Sequence, residues 1–305
     1  MTRVSHVVEY AAARAAIGTL RLLGWRTAAA AGGALARLAY APFGIRRDVV
    51  HQQLRASFPD WSDADIARTA RASYDSLGRT SIETAVLAGA SRDDVLRMFD
   101  DVVGWEHFER ATQPGPNGEP ASGAILVTGH LGNWELGGAF VAARGIGIDV
   151  IVRGMANPLF DRFLTGTRTA LGMHVVHDSE AVRRTPRAIR EGRLVAMLCD
   201  QDTAGLASTF VPFFGRLAKT PKGPAVLSRR LGCPVLFVAV TRLPTGRYRF
   251  AIDPVIAPVT GDREADGEAM VAAYTARLEA EVRKVPGQYF WQHKRWKRRP
   301  EHEAA

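Results

Sequence analysis

The chain has 305 residues, of which 47% are hydrophobic, and it carries a formal net charge of +9. This length allows one large domain or two small ones, and the charge favours an anionic partner: nucleic acid, anionic lipid or an acidic carrier protein. Its two cysteines, Cys199 and Cys233, stand alone in apolar segments, which argues against a disulfide framework and against a cysteine-based zinc site.

The N-terminal segment, residues 7–43, is mostly alanine, leucine, glycine and isoleucine, but four arginines interrupt it: Arg14, Arg21, Arg26 and Arg37. Its longest charge-free stretch spans residues 27–36, whereas a transmembrane helix needs about 20 apolar residues. We therefore expect residues 1–45 to form helices that lie on or dip into a bilayer, with their arginines reaching the headgroups. Ordinary helices packed over the core are the alternative.

A polar helical region follows, and it contains a helix that begins near Ser62. This serine is a candidate N-cap because Asp65 stands three residues later, as in a capping box. Apolar side chains then recur at helical spacing from Ile66 to Leu77. Residues 111–123, "ATQPGPNGEPASG", are rich in proline and glycine and predict a loop, which is the clearest boundary in the chain.

From residue 123 onward, apolar strands alternate with helices. Strands are predicted at "GAILVTGH", "IDVIVRG", "MHVVHD", "RLVAMLCDQD", "CPVLFVAVTRL" and "RYRFAIDPV", and the last two are expected to pair. This order predicts an α/β fold with a mixed, partly parallel sheet flanked by helices. We assign residues 46–300 to a single domain that follows the N-terminal helices.

The stretch "TGHLGNWELGG" follows the first of these strands and places His130 five residues before Glu135. Neither a helix nor a strand would bring these two side chains together, but a strand-to-helix turn would, and Gly129 and Gly132 allow its dihedral angles. Asn133 is the candidate cap of the new helix, which places Glu135 in the first turn. We expect Glu135 to accept a hydrogen bond from one imidazole nitrogen, so that the other serves as a general base. A histidine satisfied within a tight turn is the alternative.

The same stretch resembles the HxxxxD/E box of the glycerolipid and lysophospholipid acyltransferase superfamily, and most of all the late acyltransferases of lipid A biosynthesis. Four further stretches resemble that family in order along the chain: "LRASFPDWSDADIA", "VIVRGMANPLFDRFL", "MLCDQD" with "STFVPFFG", and "PGQYFWQHKRWKRRP". The chain departs from the family near the first of these, where Gln52 and Gln53 stand in place of a more usual Asn-Leu pair.

The resemblance implies an O-acyltransferase with a glycerolipid-acyltransferase-like fold on the cytoplasmic face of the cell inner membrane. It implies transfer of a fatty acyl chain from a thioester, on acyl carrier protein or coenzyme A, to a hydroxyl of a glycolipid of the lipid A precursor type. The expected partners are this donor, the glycolipid acceptor and an anionic membrane surface. Neither a cofactor nor nucleic acid is expected.

The resemblance also assigns roles to residues. It makes His130 the general base and Glu135 its orienting partner, and it places Asp200 close to the histidine as a third catalytic residue. Arg153 is expected near the glycolipid headgroup or the developing oxyanion, and Asn157, in the same segment, is a candidate substrate contact.

Acyl transfer also needs donors to the oxyanion that forms during attack. The backbone N–H groups of Gly132 and Asn133 are the candidates nearest the histidine in sequence. Lys222 is a candidate contact to phosphate or to an acidic carrier, with a solvated surface as the alternative. No serine or cysteine lies in a G-x-S-x-G turn, so direct transfer is favoured over an acyl-enzyme.

Asp200 and Asp202 form an Asp-x-Asp pair that would suit Mg²⁺. Carboxylates on a loop are more often solvated, and no phosphate-cradling motif accompanies these two. We therefore expect no metal.

The C-terminal stretch mixes aromatic and basic residues. Residues 294–299, together with Trp291 and Trp296, resemble a membrane-interface anchor, and the same composition would suit RNA. His293 is expected either to bind an anionic headgroup or to be exposed to solvent. Three functions remain as alternatives: a non-catalytic membrane- or RNA-binding protein, a thioester hydrolase, and an acyltransferase that uses acyl-CoA to modify phosphatidylinositol mannosides or another glycolipid.

Overall fold

The computed structural model describes residues 3–113 and 122–300, and within them the chain forms eleven α-helices and nine strands. The helices are α1 (Val4–Arg21), α2 (Trp25–Tyr40), α3 (Arg47–Ser57), α4 (Asp63–Val86), α5 (Arg92–Leu96), α6 (Trp105–Thr112), α7 (Trp134–Ala143), α8 (Pro158–Ala170), α9 (Ala181–Arg190), α10 (Gly223–Leu231) and α11 (Arg263–Lys284). The strands are β1 (Phe99–Val103), β2 (Ile125–Thr128), β3 (Ile148–Val152), β4 (His174–His177), β5 (Leu194–Leu198), β6 (Ser208–Phe213), β7 (Arg216–Pro221), β8 (Val235–Arg242) and β9 (Tyr248–Pro254).

Seven of these strands form one mixed sheet in the order β1-β9-β8-β2-β5-β3-β4. Neighbouring strands are parallel except for β8 and β9, which pair antiparallel. The prediction of a mixed, partly parallel sheet is therefore confirmed, and so is the pairing of the last two predicted strands. The remaining strands, β6 and β7, form a separate antiparallel hairpin, which the sequence pattern did not predict.

Helices cover both faces of the sheet, and successive strand residues alternate between two hydrophobic layers. On β2, Ile125 and Val127 belong to the layer that includes side chains of α4, α10 and α11. Leu126 belongs to the other layer, which includes side chains of α7. The central strands are buried on both sides, so their sequences are continuous apolar runs. Such runs indicate buried strands, which explains why the sequence pattern predicts them.

The parallel pairing of β2 with β5 determines where the candidate site lies. Thr128 pairs with Leu198, so the two strands end at the same edge of the sheet. His130 follows the end of β2 by two residues, and Asp200 follows the end of β5 by the same number. Both residues therefore lie at the carboxyl edge of the strands, where open α/β sheets bind ligands.

The second N-terminal helix, α2, packs tightly along α4. A β-carbon on Gly78 would overlap the carbonyl oxygen of Gly32, so the two helix backbones approach each other where neither has a side chain. Arg37 adds a salt bridge of 2.7 Å to Asp75 across the same contact. No helix in the described residues is long and apolar enough to cross a membrane. The alternative of packed helices thus holds for α2, while contact with a bilayer surface stays a prediction.

The contact between α2 and α4 predicts that Gly78→Ala destabilises the protein by about 1–3 kcal/mol, because the added methyl group overlaps backbone rather than a flexible side chain. Urea unfolding monitored by circular dichroism measures the change. Gly18→Ala is the matched control, since a β-carbon at Gly18 in α1 meets no atom within 4 Å. In the control, alanine is expected to stabilise the helix by up to about 1 kcal/mol. Equal shifts in both variants would contradict the close contact.

Candidate active site

The turn from β2 into α7 carries the candidate base, and glycines make its course possible. Gly132 has a φ of +61°, and a β-carbon there would overlap the carbonyl oxygen of Val240. Asn133 caps α7, as predicted: its side-chain oxygen accepts the N–H of Leu136 at 3.1 Å. At Gly129 a β-carbon would lie 3.2 Å from the carboxyl carbon of Asp200, so the missing side chain lets that carboxylate approach the turn.

Asp200 is the carboxylate that contacts His130. Its Oδ1 lies 2.7 Å from the imidazole Nδ1, and its Oδ2 accepts the backbone N–H of the same histidine at 2.8 Å. Burial alone would raise the pKa of Asp200, but the charge and hydrogen bonds of His130 outweigh it and lower that pKa to about 2. Because the ionised carboxylate only accepts, Nδ1 donates to it, and a neutral imidazole held in this way has its lone pair at Nε2.

The expected hydrogen bond between Glu135 and the imidazole is wrong. Both carboxylate oxygens of Glu135 accept from Arg168 of α8, at 2.9 and 2.5 Å. The two side chains are mostly buried, with 15% of Glu135 and 16% of Arg168 exposed. The physical reason is the geometry of α7, whose first turn directs Glu135 toward α8, while Nδ1 of His130 already has Asp200 as its partner.

The Nε2 side of the imidazole is partly exposed and partly aromatic. The Trp134 ring lies 4.7 Å from the His130 ring, and the Phe290 ring lies 5.7 Å away. The side-chain nitrogen of Gln201 lies 3.4 Å from Nε2, within hydrogen-bond distance, and 20% of the His130 side chain is exposed. A substrate hydroxyl that binds Nε2 would therefore take the place of the Gln201 contact, which leaves the amide beside it as a donor.

The backbone N–H groups proposed as oxyanion donors already have partners, so that prediction is wrong. The N–H of Gly132 donates to the carbonyl of Gln288, and the N–H of Asn133 donates to the carbonyl of Val240, both at 3.0 Å. These two bonds instead fix the turn against β8 and the C-terminal segment. The Gln201 amide is the donor that lies beside Nε2.

A buried ionic network holds Asn133 in place, and it was missed from the sequence. Glu83 of α4 is fully buried and accepts from the Asn133 side chain at 2.9 Å, from Arg242 of β8, and from the hydroxyl of Tyr248. Burial and then the charge of Glu83 raise the pKa of Tyr248, so it stays a hydrogen-bond donor. In sequence, Glu83 is one of many polar residues in a helix, and no local pattern marks it as buried.

The C-terminal segment packs into the protein, so its interpretation as a membrane anchor is wrong for its central residues. Trp291 is fully buried and Arg295 is 1% exposed. Arg295 donates to the carbonyl of Lys219 and to the hydroxyl of Thr220, and its own backbone N–H donates to the Gln53 side chain. A basic-aromatic composition does not distinguish a surface patch from side chains that satisfy buried carbonyl groups.

Asp202 was expected to be solvated, and His293 either to bind a headgroup or to be exposed, but the two residues contact each other in the loop that follows Asp200. The Nε2 of His293 accepts the backbone N–H of Asp202 at 3.1 Å, and the Asp202 carboxylate is bound by Arg298 through its backbone and its guanidinium. This contact fixes the loop that carries Asp200. In the described residues there is no group of three or more side chains suited to bind a metal.

The other predicted substrate-binding residues lie apart from the imidazole contacts. Arg153 follows β3 at the same sheet edge, and it is 57% exposed with an ion pair of 2.9 Å to Asp178. Asn157 caps α8 and donates to the carbonyl of His6, so its side chain is used within the protein. Lys222 precedes α10, and its amino group lies 3.7 Å from a carboxylate oxygen of Glu264. Contact of these residues with substrate stays a prediction.

An apolar cavity of about 60 Å³ lies between α7 and the sheet. Trp134 and the Glu135–Arg168 ion pair line one end of the cavity, and mainly aliphatic side chains of β2, β3, β5 and β8 line the rest. The Trp134 ring lies 4.7 Å from the His130 ring, so this mainly apolar space begins at a neighbour of the candidate base.

The family model for the bacterial lipid A biosynthesis acyltransferases matches residues 2–298 of the chain. The chain belongs to this family. It is 29% identical over 273 residues to the lipid A biosynthesis lauroyltransferase of Escherichia coli (strain K12), which covers 88% of this chain and 85% of that protein. It is also 29% identical over 280 residues to the palmitoleoyltransferase of the same strain, with 90% and 85% covered.

More distant relatives act on another glycolipid by name. The phosphatidylinositol mannoside acyltransferase of Mycobacterium tuberculosis (strain ATCC 25618 / H37Rv) is 28% identical over 221 residues, covering 68% of this chain and 65% of that protein. Membership of the family makes this chain an O-acyltransferase.

The contacts of His130 predict different effects for the two carboxylates. Asp200→Asn is expected to lower kcat by about 10²–10⁴-fold, because the amide no longer orients the imidazole or stabilises its charged form during transfer. Glu135→Gln is the matched variant and is expected to lower kcat less, because its side chain binds Arg168 and not the imidazole. Steady-state acyl transfer by both variants measures the difference. A larger loss of kcat in Glu135→Gln than in Asp200→Asn would contradict the assignment.

His293 predicts a pH-dependent stability. Burial lowers its pKa below the ordinary 6.5, so as pH falls below about 6.5 the unfolded chain binds a proton that the folded protein does not, and the free energy of unfolding decreases. His293→Gln keeps an acceptor for the Asp202 N–H and is expected to reduce this decrease. His293→Ala is expected to cost about 1 kcal/mol at neutral pH. Urea unfolding between about pH 5 and pH 7.5 tests both, and identical pH slopes in the parent and His293→Gln would refute the claim.

Proposed function

We propose that this acyltransferase moves a fatty acyl chain from acyl carrier protein to a hydroxyl of a lipid A precursor, at the cytoplasmic face of the inner membrane. The observation that supports it most directly is the His130–Asp200 pair, whose imidazole is partly exposed and contacts Trp134, a residue that lines the apolar cavity. His130 is the general base in this proposal, and Asp200 is the residue that orients it.

The transfer proceeds in two steps on this geometry. Nε2 of His130 takes the proton of the acceptor hydroxyl as its oxygen attacks the thioester carbonyl carbon, which gives a tetrahedral oxyanion. The Gln201 amide is placed to donate to that oxyanion. Collapse breaks the carbon–sulfur bond, and the imidazolium returns its proton to the leaving thiolate. Asp200 holds the ring and stabilises its charged form throughout.

Direct transfer is preferred to a covalent acyl-enzyme. Cys199 is the thiol nearest to Asp200 in sequence, but its side chain is buried and burial raises the pKa of the thiol. A thiol of this kind is not a thiolate at neutral pH and does not attack a thioester.

The surface of the N-terminal helices supports docking to a bilayer. Large apolar side chains project from α1, from the turn after α1 and from the turn after α2. Examples are Val4, Leu22 and Phe43, which are 81%, 86% and 71% exposed. Exposed apolar side chains flanked by arginines are typical of proteins that bind anionic membrane surfaces. Arg153 at the carboxyl edge of the sheet is the candidate contact to the acceptor headgroup. Lys222 is a candidate contact to phosphate or to the acidic carrier.

A second candidate function uses acyl-CoA to modify a phosphatidylinositol mannoside. The similarity to the mycobacterial acyltransferases that carry this name favours it, although the match covers less of each chain. Both candidates use the same imidazole and differ only in donor and acceptor.

The proposed function predicts a specific pattern of products. Purified protein is incubated with acyl-carrier-protein or coenzyme A thioesters and a panel of glycolipids, and products are identified by mass. The expected result is acylation of a lipid A precursor from the carrier-protein thioester, with His130→Ala slowed by at least about 10²-fold. Free fatty acid without an acylated lipid would identify a hydrolase, and an unimpaired His130→Ala would refute the role of the base.

A further inference from the structure

We propose that Met173, packed against Gly138, sets the longest acyl chain that this enzyme accepts. The inference rests on the proposed function, because it assigns the apolar cavity beneath α7 to the fatty chain of the donor. It names the side chains that limit the depth of that cavity.

The cavity extends from the carboxyl edge of the strands, where Trp134 lines it, toward the opposite edge of the sheet. Val152 lines the end near the base and Ile148 lines the far end, and both belong to β3. Four residue steps along a strand span about 13 Å. The space beneath α7 therefore has the direction and the lining that an extended alkyl chain requires.

Met173 enters this space from the far edge. It directly precedes His174, which pairs with Asp149 at the beginning of β3, so Met173 lies level with Ile148. Its sulfur then reaches back toward α7, into the room left by the missing side chain of Gly138. A β-carbon on Gly138 would lie 2.5 Å from that sulfur and 3.5 Å from a methyl group of Val150.

The size of the cavity makes this side chain decisive. At about 60 Å³ it is less than half the size of a dry, engineered cavity of roughly 150 Å³ that binds benzene, so it holds only a short alkyl segment with Met173 in place. Methionine is unbranched and flexible, and the sulfur faces a glycine rather than a fixed side chain. The orientation of Met173 thus determines how many methylene groups fit.

Competition between acyl-carrier-protein thioesters of graded chain length tests the inference. Met173→Ala is expected to raise the ratio of kcat/KM for a chain two carbons longer over the shorter chain by about fifteenfold, since each additional buried methylene contributes about fourfold. Gly138→Ala places a methyl group in the same space and is expected to shift the preference toward shorter chains. The two variants therefore move the preference in opposite directions.

Met98→Ala is the matched control. Met98 is also buried, with 3% exposed, and belongs to the same hydrophobic layer, but it does not line the cavity. It is expected to lower stability and leave the chain-length ratio unchanged. If the parent is active and neither Met173→Ala nor Gly138→Ala changes its chain-length preference, the role of Met173 is overturned, and the proposed function is not. A parent that transfers no chain overturns the proposed function, and this inference with it.

Discussion

The contact between Asp200 and His130 is the interaction on which the site depends. It forms because β2 and β5 are adjacent and parallel, so the residues that follow them leave the sheet side by side. One carboxylate binds both the ring and the backbone of the same histidine, which fixes the turn and the orientation of the imidazole together. An ionised carboxylate that is 3% exposed would be costly without these two bonds, and their presence explains how it stays charged.

Distant parts of the chain hold that contact in place. Glu83 of α4 binds Asn133, the cap of α7, while His293 of the C-terminal segment binds the loop that carries Asp200. Each of these is a polar group bound in a region with little water, where a missing partner is expensive. The geometry of the site therefore depends on residues that lie far from "TGHLGNWELGG" in sequence, both before it and after it.

The sequence predicted what depends on local pattern. Apolar runs marked the central strands, and the caps Ser62 and Asn133 marked helix starts correctly. The spacing of residues did not predict the partner of His130. That partner, Asp200, follows β5, which is distant in sequence but lies next to β2 in the sheet. Only the family resemblance indicated Asp200. Burial of Arg295 was equally invisible, because its acceptors are the Lys219 carbonyl and the Thr220 hydroxyl, which come from another hairpin.

The two charged residues of the histidine box thus act in different ways on one helix terminus. His130 precedes α7 and packs against the Trp134 ring, while Glu135 in the first turn binds Arg168, and this ion pair lines the apolar cavity. A carboxylate in a first turn is favoured by the helix dipole, and its ion pair ties α7 to α8. Because the same turn positions the base and borders the cavity, a movement of the α7 terminus would displace both at once. The spacing between His130 and Glu135 therefore keeps the proton acceptor aligned with the apolar cavity that is proposed to hold the acyl chain.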